Sequence, residues 1–210
     1  MLLLTTSMKM ENGTNLKMSK IFFLFFIIIF SLKTSFSYSN NIKDFTLEGM
    51  SIGDSTLDFF SEKEILDSRM DYYKKDDFIT IGFNDHPTLK QYDWLQITYK
   101  KNDKKYFVES LDGVLSFKND FNGCLKKKSK IVVEIKNMTG VEPEEFEGKH
   151  GADPSGKSKF NNSEFYLNND YIAISCIDWS KKMEDLYFDH LKVWIGTSEF
   201  YTWIQSNPYR

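Results

Sequence analysis

The pattern of hydrophobic and polar positions in the middle of the chain predicts a run of strands. Residues 78–83 form a short apolar stretch, and residues 92–99 alternate between apolar and polar side chains. Alternation with a period of two is typical of a strand that buries one face. Turn-forming sequences at 101–104 and 112–113 separate two further apolar stretches. Turns at this spacing reverse the chain, so we expect an antiparallel meander.

A stripe of apolar residues at helical spacing predicts a long amphipathic helix over residues 119–138. Lys126, Lys127 and Lys130 lie on the opposite side, whereas Lys128 falls within the apolar arc. We expect Lys128 to extend its ammonium group to solvent, and we interpret the lysine-rich side as a solvated helix face. The apolar stripe consists of Phe121, Cys124, Leu125, Ile131, Val132 and Ile135.

Two further parts of the chain are expected to form short helices. Residues 50–70 have helical character in two short pieces, and Ser61 with Glu64 matches a capping box. Near the C-terminus, Thr197 or Ser198 can cap a short helix, because either hydroxyl can accept a hydrogen bond from a free amide of its first turn.

The remaining segments complete the expected fold. Residues 139–162 contain few apolar side chains and are predicted to form a mobile polar loop. Apolar positions at 165–177 and 191–195 predict a hairpin and a last strand. The expected fold class is therefore α+β: a single domain whose antiparallel sheet is packed by one long amphipathic helix (119–138), with short N- and C-terminal helices.

Residues 1–37 have the layout of a secretory signal peptide, with translation expected to start at Met18. A lysine precedes the apolar run at 21–32, and small residues precede Tyr38. The alternative is a retained membrane anchor, but a span requires roughly 20 apolar residues. We therefore expect no stable membrane anchor after processing. Residues 38–210 are predicted to form a single exported domain, periplasmic or secreted.

The charge of the exported region restricts its partners. Residues 1–37 hold four of the chain's 27 basic residues and one of its 30 acidic residues, so residues 38–210 carry a formal net charge of −6. A negative chain is repelled by phosphate backbones and by anionic lipids. We therefore expect no nucleic acid among the partners, whose identity the sequence leaves open.

Cys124 and Cys176 are the two cysteines of the chain. An even number of cysteines in an exported chain favours a disulfide, and two free thiols are the alternative. The predicted bridge would close a loop of about 50 residues, which the chain-entropy model equates with roughly 4 kcal/mol of stabilisation.

Residues 151–158, GADPSGKS, match the phosphate-binding pattern G-x-x-x-x-G-K-S at each required position. A working loop of this type joins a buried strand to a helix, whose N-terminus holds the phosphates. Here the preceding EPEEFEGKH is too polar for a buried strand, and the following KFNNSEF lacks a helical pattern. We therefore expect a surface loop that binds no nucleotide.

Two blocks resemble the GDS-type (SGNH) serine esterases: IGDSTL at 52–57 and GFND at 82–85. By this resemblance Ser55 is the nucleophile and Asn84 the oxyanion donor. The family takes its histidine base from a D-x-x-H block near the C-terminus, and this chain lacks that block. The simpler interpretation is that Asp54 or Ser55 caps a helix. An esterase centred on Ser55 is the alternative function.

The other candidate chemistry is sparse. The three histidines show no paired ligand spacing, so we expect no metal site and no cofactor. The chain is rich in aromatic residues, most of which suit a sheet core. Tyr72, Tyr73, Tyr201 and Trp203 are the ones most expected to be exposed, and they could form a stacking surface for sugars or hydrophobic ligands.

Five blocks occur along the chain: GMSIGDS at 49–55, a helix bearing Cys124, KHGADPSGKS at 149–158, C-x-D-W at 176–179 and EFYTWI at 199–204. Together they resemble small exported proteins of unknown function from AT-rich marine alphaproteobacteria. The resemblance implies export and supplies no activity. We therefore predict a binding or structural module with no catalytic residues.

Overall fold

The computed structural model describes residues 38–39, 41–75, 77–206 and 208–209. The predicted signal peptide, residues 1–37, lies outside the described residues. Residues Tyr38–Arg210 belong to one compact unit.

The described residues form eight strands, three α-helices and two short 3₁₀ helices. Ser61 and Glu64 form the predicted capping box, and Thr197 accepts a hydrogen bond from the amide of Phe200, which confirms the caps of two helices. The 3₁₀ helices are Ile42–Asp44 and Thr56–Asp58. The α-helices are α1 (Glu62–Asp67), α2 (Phe121–Thr139) and α3 (Ser198–Gln205), and the strands are β1 (Arg69–Met70), β2 (Phe78–Asn84), β3 (Trp94–Lys100), β4 (Ser110–Ser116), β5 (Glu144–Lys149), β6 (Lys159–Leu167), β7 (Asp170–Asp178) and β8 (His190–Gly196).

All eight strands pair antiparallel in one sheet, in the order β1-β2-β3-β4-β8-β7-β6-β5. Strands β1 to β4 form one meander and strands β5 to β8 form a second. Each meander runs from an outer edge of the sheet to its centre, where β4 pairs with β8. The last strand in sequence therefore lies between two strands that precede it.

The predicted fold, a sheet packed by one long amphipathic helix, is wrong. The structure is mostly a single eight-stranded antiparallel sheet with three short helices of six, 19 and eight residues. Helix α2 contacts mainly β7 and β8, two of the eight strands. The apolar stripe of a helix indicates which side is buried, but it does not show how many strands lie beneath.

One face of the sheet carries the hydrophobic core. Residues 42–65 and α2 supply side chains to this face, which we call the core face. Cys124 on α2 and Cys176 on β7 are both buried there and form a disulfide with a Cα–Cα distance of 5.9 Å. The predicted bridge is thus confirmed, and it ties α2 to a strand in the interior of the sheet.

The structure differs from the mobile loop predicted for residues 139–162. Strand β5 lies within this segment and pairs with β6 along its whole length, from Glu144↔Glu164 to Lys149↔Lys159. All six residues of β5 are exposed. Because a fully exposed edge strand has no buried face, its sequence shows none of the apolar alternation that identifies a strand.

Lys128 also differs from its prediction. Its side chain is 6 % exposed, and its ammonium group contacts Glu145 Oε2 at 3.0 Å and Asn161 Oδ1 at 2.6 Å. The expected extension to solvent is wrong, because two acceptors on β5 and β6 lie within reach of the helix. Lys128 therefore connects α2 to the outer edge of the sheet.

Candidate functional site

The face of the sheet opposite the core, which we call the open face, presents polar side chains at its centre. Side chains alternate along a strand, so Leu111 and Leu191 enter the core while Asp112 and Lys192 lie on the open face. The strand register places Asp112 opposite both Gln96 on β3 and Trp194 on β8. The junction of the two meanders thus carries an acid, a base and an indole side by side.

Aromatic side chains surround this polar centre and form a cavity of about 180 Å³, which we call the tyrosine cavity. Helix α3 contributes one wall, and the segment between β1 and β2 contributes another. The C-terminal residues approach that segment, because the amide of Lys74 donates to the Pro208 carbonyl at 2.7 Å. The lining residues are Tyr72, Tyr73, Thr80, Gln96, Asp112, Lys192, Trp194, Phe200, Ile204 and Tyr209.

Asp112 and Lys192 form an ion pair at the bottom of the tyrosine cavity. Lys192 Nζ lies 3.2 Å from Asp112 Oδ1, and the side chains are 36 % and 11 % exposed, respectively. Burial raises the pKa of Asp112, and Lys192 offsets part of that rise. Burial lowers the pKa of Lys192, but Asp112, with smaller contributions from Tyr209 and Tyr72, more than compensates, so the net direction is upward.

The hydrogen-bonding capacity of this pair is only partly used. A lysine ammonium group has three donors, and a carboxylate has about four acceptor sites. Within the described chain, the contact between Lys192 and Asp112 is the only hydrogen bond or ion pair of either group. Lys192 Nζ also lies 5.5 Å from the centre of the Trp194 ring. Donors and acceptors therefore remain available at the bottom of the tyrosine cavity.

Neutral polar groups extend the same surface. Gln96 Nε2 donates to Tyr72 Oη at 2.8 Å, and Tyr73 Oη lies 3.0 Å from Thr80 Oγ1. Burial raises the pKa of Tyr72, of Tyr73 and of Tyr209 above the ordinary value for tyrosine. These phenols are therefore neutral at physiological pH and can donate hydrogen bonds.

Neither Asp112 nor Lys192 was predicted from the sequence to be a residue of the candidate site. The Asp112-Gly113 pair was predicted to be a turn, but β4 runs straight through it. Gly113 is required for a different reason: a Cβ atom there would lie 2.7 Å from the ring of Tyr92. The available signal was a lysine between Leu191 and Val193 in an otherwise apolar strand.

Ser55, the predicted nucleophile of the alternative function, begins the 3₁₀ helix Thr56–Asp58. Its hydroxyl donates to the Lys105 carbonyl at 2.7 Å and accepts from the Leu57 amide at 3.3 Å. In the described chain, these two contacts are the side-chain hydrogen bonds of Ser55. Its geometry is that of a helix cap, and no histidine among the described residues hydrogen-bonds to it.

The three histidines make separate local contacts. His86 Nε2 lies 3.3 Å from Glu64 Oε1, His150 packs against Trp179, and His190 Nδ1 donates to the Phe188 carbonyl at 2.7 Å. Among the described residues, no group of three or more His, Cys, Asp or Glu side chains could hold a metal ion. Asn84, the predicted oxyanion donor, is exposed at the end of β2.

The GADPSGKS segment is the hairpin connection between β5 and β6, and it is organised around a carboxylate. Asp153 is buried and accepts hydrogen bonds from the amides of Ser155 and Ser158 at 2.8 and 2.9 Å. It also accepts from three hydroxyl groups, those of Ser155, Ser158 and Ser180, at 2.7–2.9 Å. The amides that would hold a phosphate in a P-loop therefore bind an internal anion.

Comparison of the chain with protein-family models, with curated proteins and with solved structures found no match. Among the described residues, no helix combines the length and the apolar character that crossing a membrane requires.

Proposed function

We propose that this protein is an exported binding module that holds a small, neutral, hydroxyl-rich molecule, such as a monosaccharide, in the tyrosine cavity. The observation that carries the proposal is the ion pair of Asp112 and Lys192, whose spare donors and acceptors face an aromatic-lined cavity. Buried polar groups are normally saturated with hydrogen bonds. A ligand that bonds to both charges would complete this set.

The charge balance of the cavity favours a neutral ligand. Asp112 and Lys192 cancel each other, so a ligand with a net charge would leave one charge uncompensated in a partly buried site. Hydroxyl groups on neighbouring carbons suit the pair, because one can donate to Asp112 while the next accepts from Lys192. Gln96 and Tyr72 add neutral hydrogen-bonding groups of the same kind.

Aromatic walls and cavity size support the same class of ligand. The ring of Trp194 and the side chain of Phe200 line the cavity, and they offer flat apolar surfaces to the carbon-bound hydrogens of a sugar ring. The volume of about 180 Å³ is below the roughly 300–1,000 Å³ typical of sites for drug-sized ligands. A single ring is therefore the expected occupant.

Binding without chemistry is the function that this site supports best. Lys192 keeps its ammonium form because its net pKa shift is upward, and an ammonium group is not a nucleophile. Asp112 is engaged with it. The two groups are arranged to hold hydrogen-bonding partners.

Calorimetric titration with a panel of neutral monosaccharides tests the proposal. We expect saturable binding by the wild type and a loss of about 10- to 100-fold in the double variant Asp112→Asn/Lys192→Met, since a hydrogen bond to a charged group contributes about 1.5–3 kcal/mol. The double change removes both charges at once and so leaves no unpaired charge. Lys126→Met, on the exposed side of α2, is the control and should bind like the wild type.

Two results would contradict this function. One is a wild-type protein that binds none of the neutral sugars. The other is a folded double variant that binds them as tightly as the wild type.

Export rests on separate support. The signal-peptide layout of residues 1–37, the resemblance to small exported proteins and the disulfide of Cys124 with Cys176 all favour an oxidising compartment. Intact mass of the protein from the exported fraction should correspond to a chain that starts at Tyr38 with both cysteines oxidised. A reduced chain that retains residues 1–37 in the cytoplasm would contradict export.

A further inference from the structure

A second cavity lies on the core face, between α2 and residues 44–47, and has a volume of about 280 Å³. We call it the helix cavity. A water molecule occupies about 30 Å³ of liquid, so this space exceeds the small voids of ordinary packing several-fold. Its floor is formed by Ile172, Val193 and Ile195 of β7 and β8, all three of which are buried.

The walls of the helix cavity are apolar and its mouth is polar. Phe45 and Leu47 form one side, and Ile131 and Ile135 of α2 form another. The charged and amide-bearing residues of the lining are all exposed, which places them at the mouth. They are Asp44, Gln91, Lys127 and Glu134.

One polar group lies in the wall itself. The ring of Tyr92 packs over Gly113 and lines the cavity, and the pKa of its hydroxyl is raised to about 12, chiefly by burial. Within the part of the chain that the structure describes, the Tyr92 hydroxyl has no hydrogen-bond partner. Tyr92 is half-buried, and a phenol can both donate and accept a hydrogen bond, so its hydroxyl is available to a ligand.

We propose that the helix cavity binds a small uncharged amphiphile: an aliphatic chain or single aromatic ring that carries one hydroxyl or carbonyl group. The apolar part would contact the floor of Ile172, Val193 and Ile195, and the polar group would bond to the Tyr92 hydroxyl. Two acidic groups and one basic group at the mouth give a net negative charge, which disfavours a carboxylate. This site is independent of the tyrosine cavity, because it lies on the other face of the sheet.

Fluorescence of N-phenyl-1-naphthylamine, an uncharged apolar probe, measures occupancy of the helix cavity in residues 38–210. We expect saturable enhancement by the wild type and displacement by 1-octanol at concentrations at least tenfold below those needed with octanoate. Ile131→Trp places a larger ring in the cavity and should reduce probe affinity at least tenfold. Val133→Trp is the matched control, because Val133 is 54 % exposed on the same helix.

A third variant keeps the test decisive if Ile131→Trp fails to fold. Tyr92→Phe keeps the ring and removes the hydroxyl, so it should weaken 1-octanol binding several-fold while leaving the affinity for toluene, which has no polar group, unchanged. The proposal is overturned if the wild type gives no saturable signal, if Ile131→Trp binds the probe like the wild type, or if octanoate competes as well as 1-octanol. Asp112→Asn/Lys192→Met should leave probe binding unchanged, which separates this test from that of the tyrosine cavity.

Discussion

At the scale of single residues, Asp153 shows that a segment can match the phosphate-binding pattern while its amides bind a carboxylate of the protein itself. A phosphate-binding loop presents amides to an anion from outside the protein. In this chain the amides of Ser155 and Ser158 face the carboxylate of Asp153. The amides of this loop are therefore occupied by an acid of the same loop. The hydroxyls of three serines donate further hydrogen bonds to the Asp153 carboxylate.

The hydrogen bonds to Asp153 make stability depend on pH. Ser158 is the largest cause, followed by smaller contributions from Ser155, and together they hold the pKa of Asp153 well below its ordinary value of 3.8. The unfolded chain therefore binds more protons near that pH, so the stabilisation is present above about pH 4 and decreases as the pH falls further.

Asp153→Asn tests this linkage by urea unfolding between pH 7 and pH 3. We expect the variant to unfold at lower urea than the wild type at pH 7, and we expect the difference to shrink as the pH falls below 4. Asp185→Asn, an exposed acid in the turn before β8, should match the wild type throughout. A gap between the two proteins that is constant with pH would count against the linkage.

At the scale of elements, α2 is held to the sheet at two points. The disulfide joins Cys124 to β7, and Lys128, one turn further on, bonds to Glu145 on β5 and Asn161 on β6. Strand β5 is an edge strand with no buried residue. Its attachment therefore depends on the ladder with β6 and on these polar contacts.

Lys128→Met should loosen β5 without unfolding the protein. The change removes the hydrogen bonds to Glu145 and Asn161, each worth about 1–3 kcal/mol, and retains most of the side-chain volume. In hydrogen exchange, the β5 amides should exchange about tenfold faster or more, whereas those of β2 and β3 should keep their protection. Lys126→Met is the control. Unchanged exchange in β5 would show that Lys128 does not anchor the strand.

The elements that the sequence predicts well are those with one buried face. Strands β2 and β3 coincide closely with the expected apolar runs, because burial of one side imposes a period on the sequence. Strand β5 was missed because neither of its faces is buried. Asp112-Gly113 was assigned to a turn because Asp-Gly normally forms one, whereas here Gly113 makes room for Tyr92.

The candidate site was less predictable than the fold. Four aromatic residues were expected to be exposed and able to bind a ligand: Tyr72, Tyr73, Tyr201 and Trp203. All four are half-buried. Tyr72 and Tyr73 lie in the wall of the tyrosine cavity, whereas Tyr201 and Trp203 do not line it. Asp112 and Lys192 are 80 positions apart, and they meet only because β8 inserts beside β4. A pairing between the two meanders leaves no local signal in the sequence.

At the scale of the whole molecule, the disulfide closes a loop that contains most of α2 together with β5, β6 and most of β7. It joins positions 52 residues apart, and closing a loop of this length removes entropy from the unfolded chain that is worth about 4 kcal/mol. Cys124 and Cys176 are both buried, so reducing agents reach the bond mainly through opening of the fold.

Comparison of oxidised and reduced wild-type protein measures this contribution without changing a residue. We expect reduction to lower the free energy of unfolding by about 4 kcal/mol, measured by urea unfolding. The double variant Cys124→Ala/Cys176→Ala should resemble the reduced protein. Equal stability of the oxidised and reduced forms would rule out a stabilising bridge.

The position of β8 also has a consequence for the order of folding. Strands β4 and β7 are neighbours of β8 on its two sides, so both have unpaired backbone groups until residues 190–196 emerge from the ribosome. Unpaired strand edges of this type favour aggregation, and pairing between distant segments is slow. A nascent chain of this topology therefore benefits from staying unfolded until synthesis is complete.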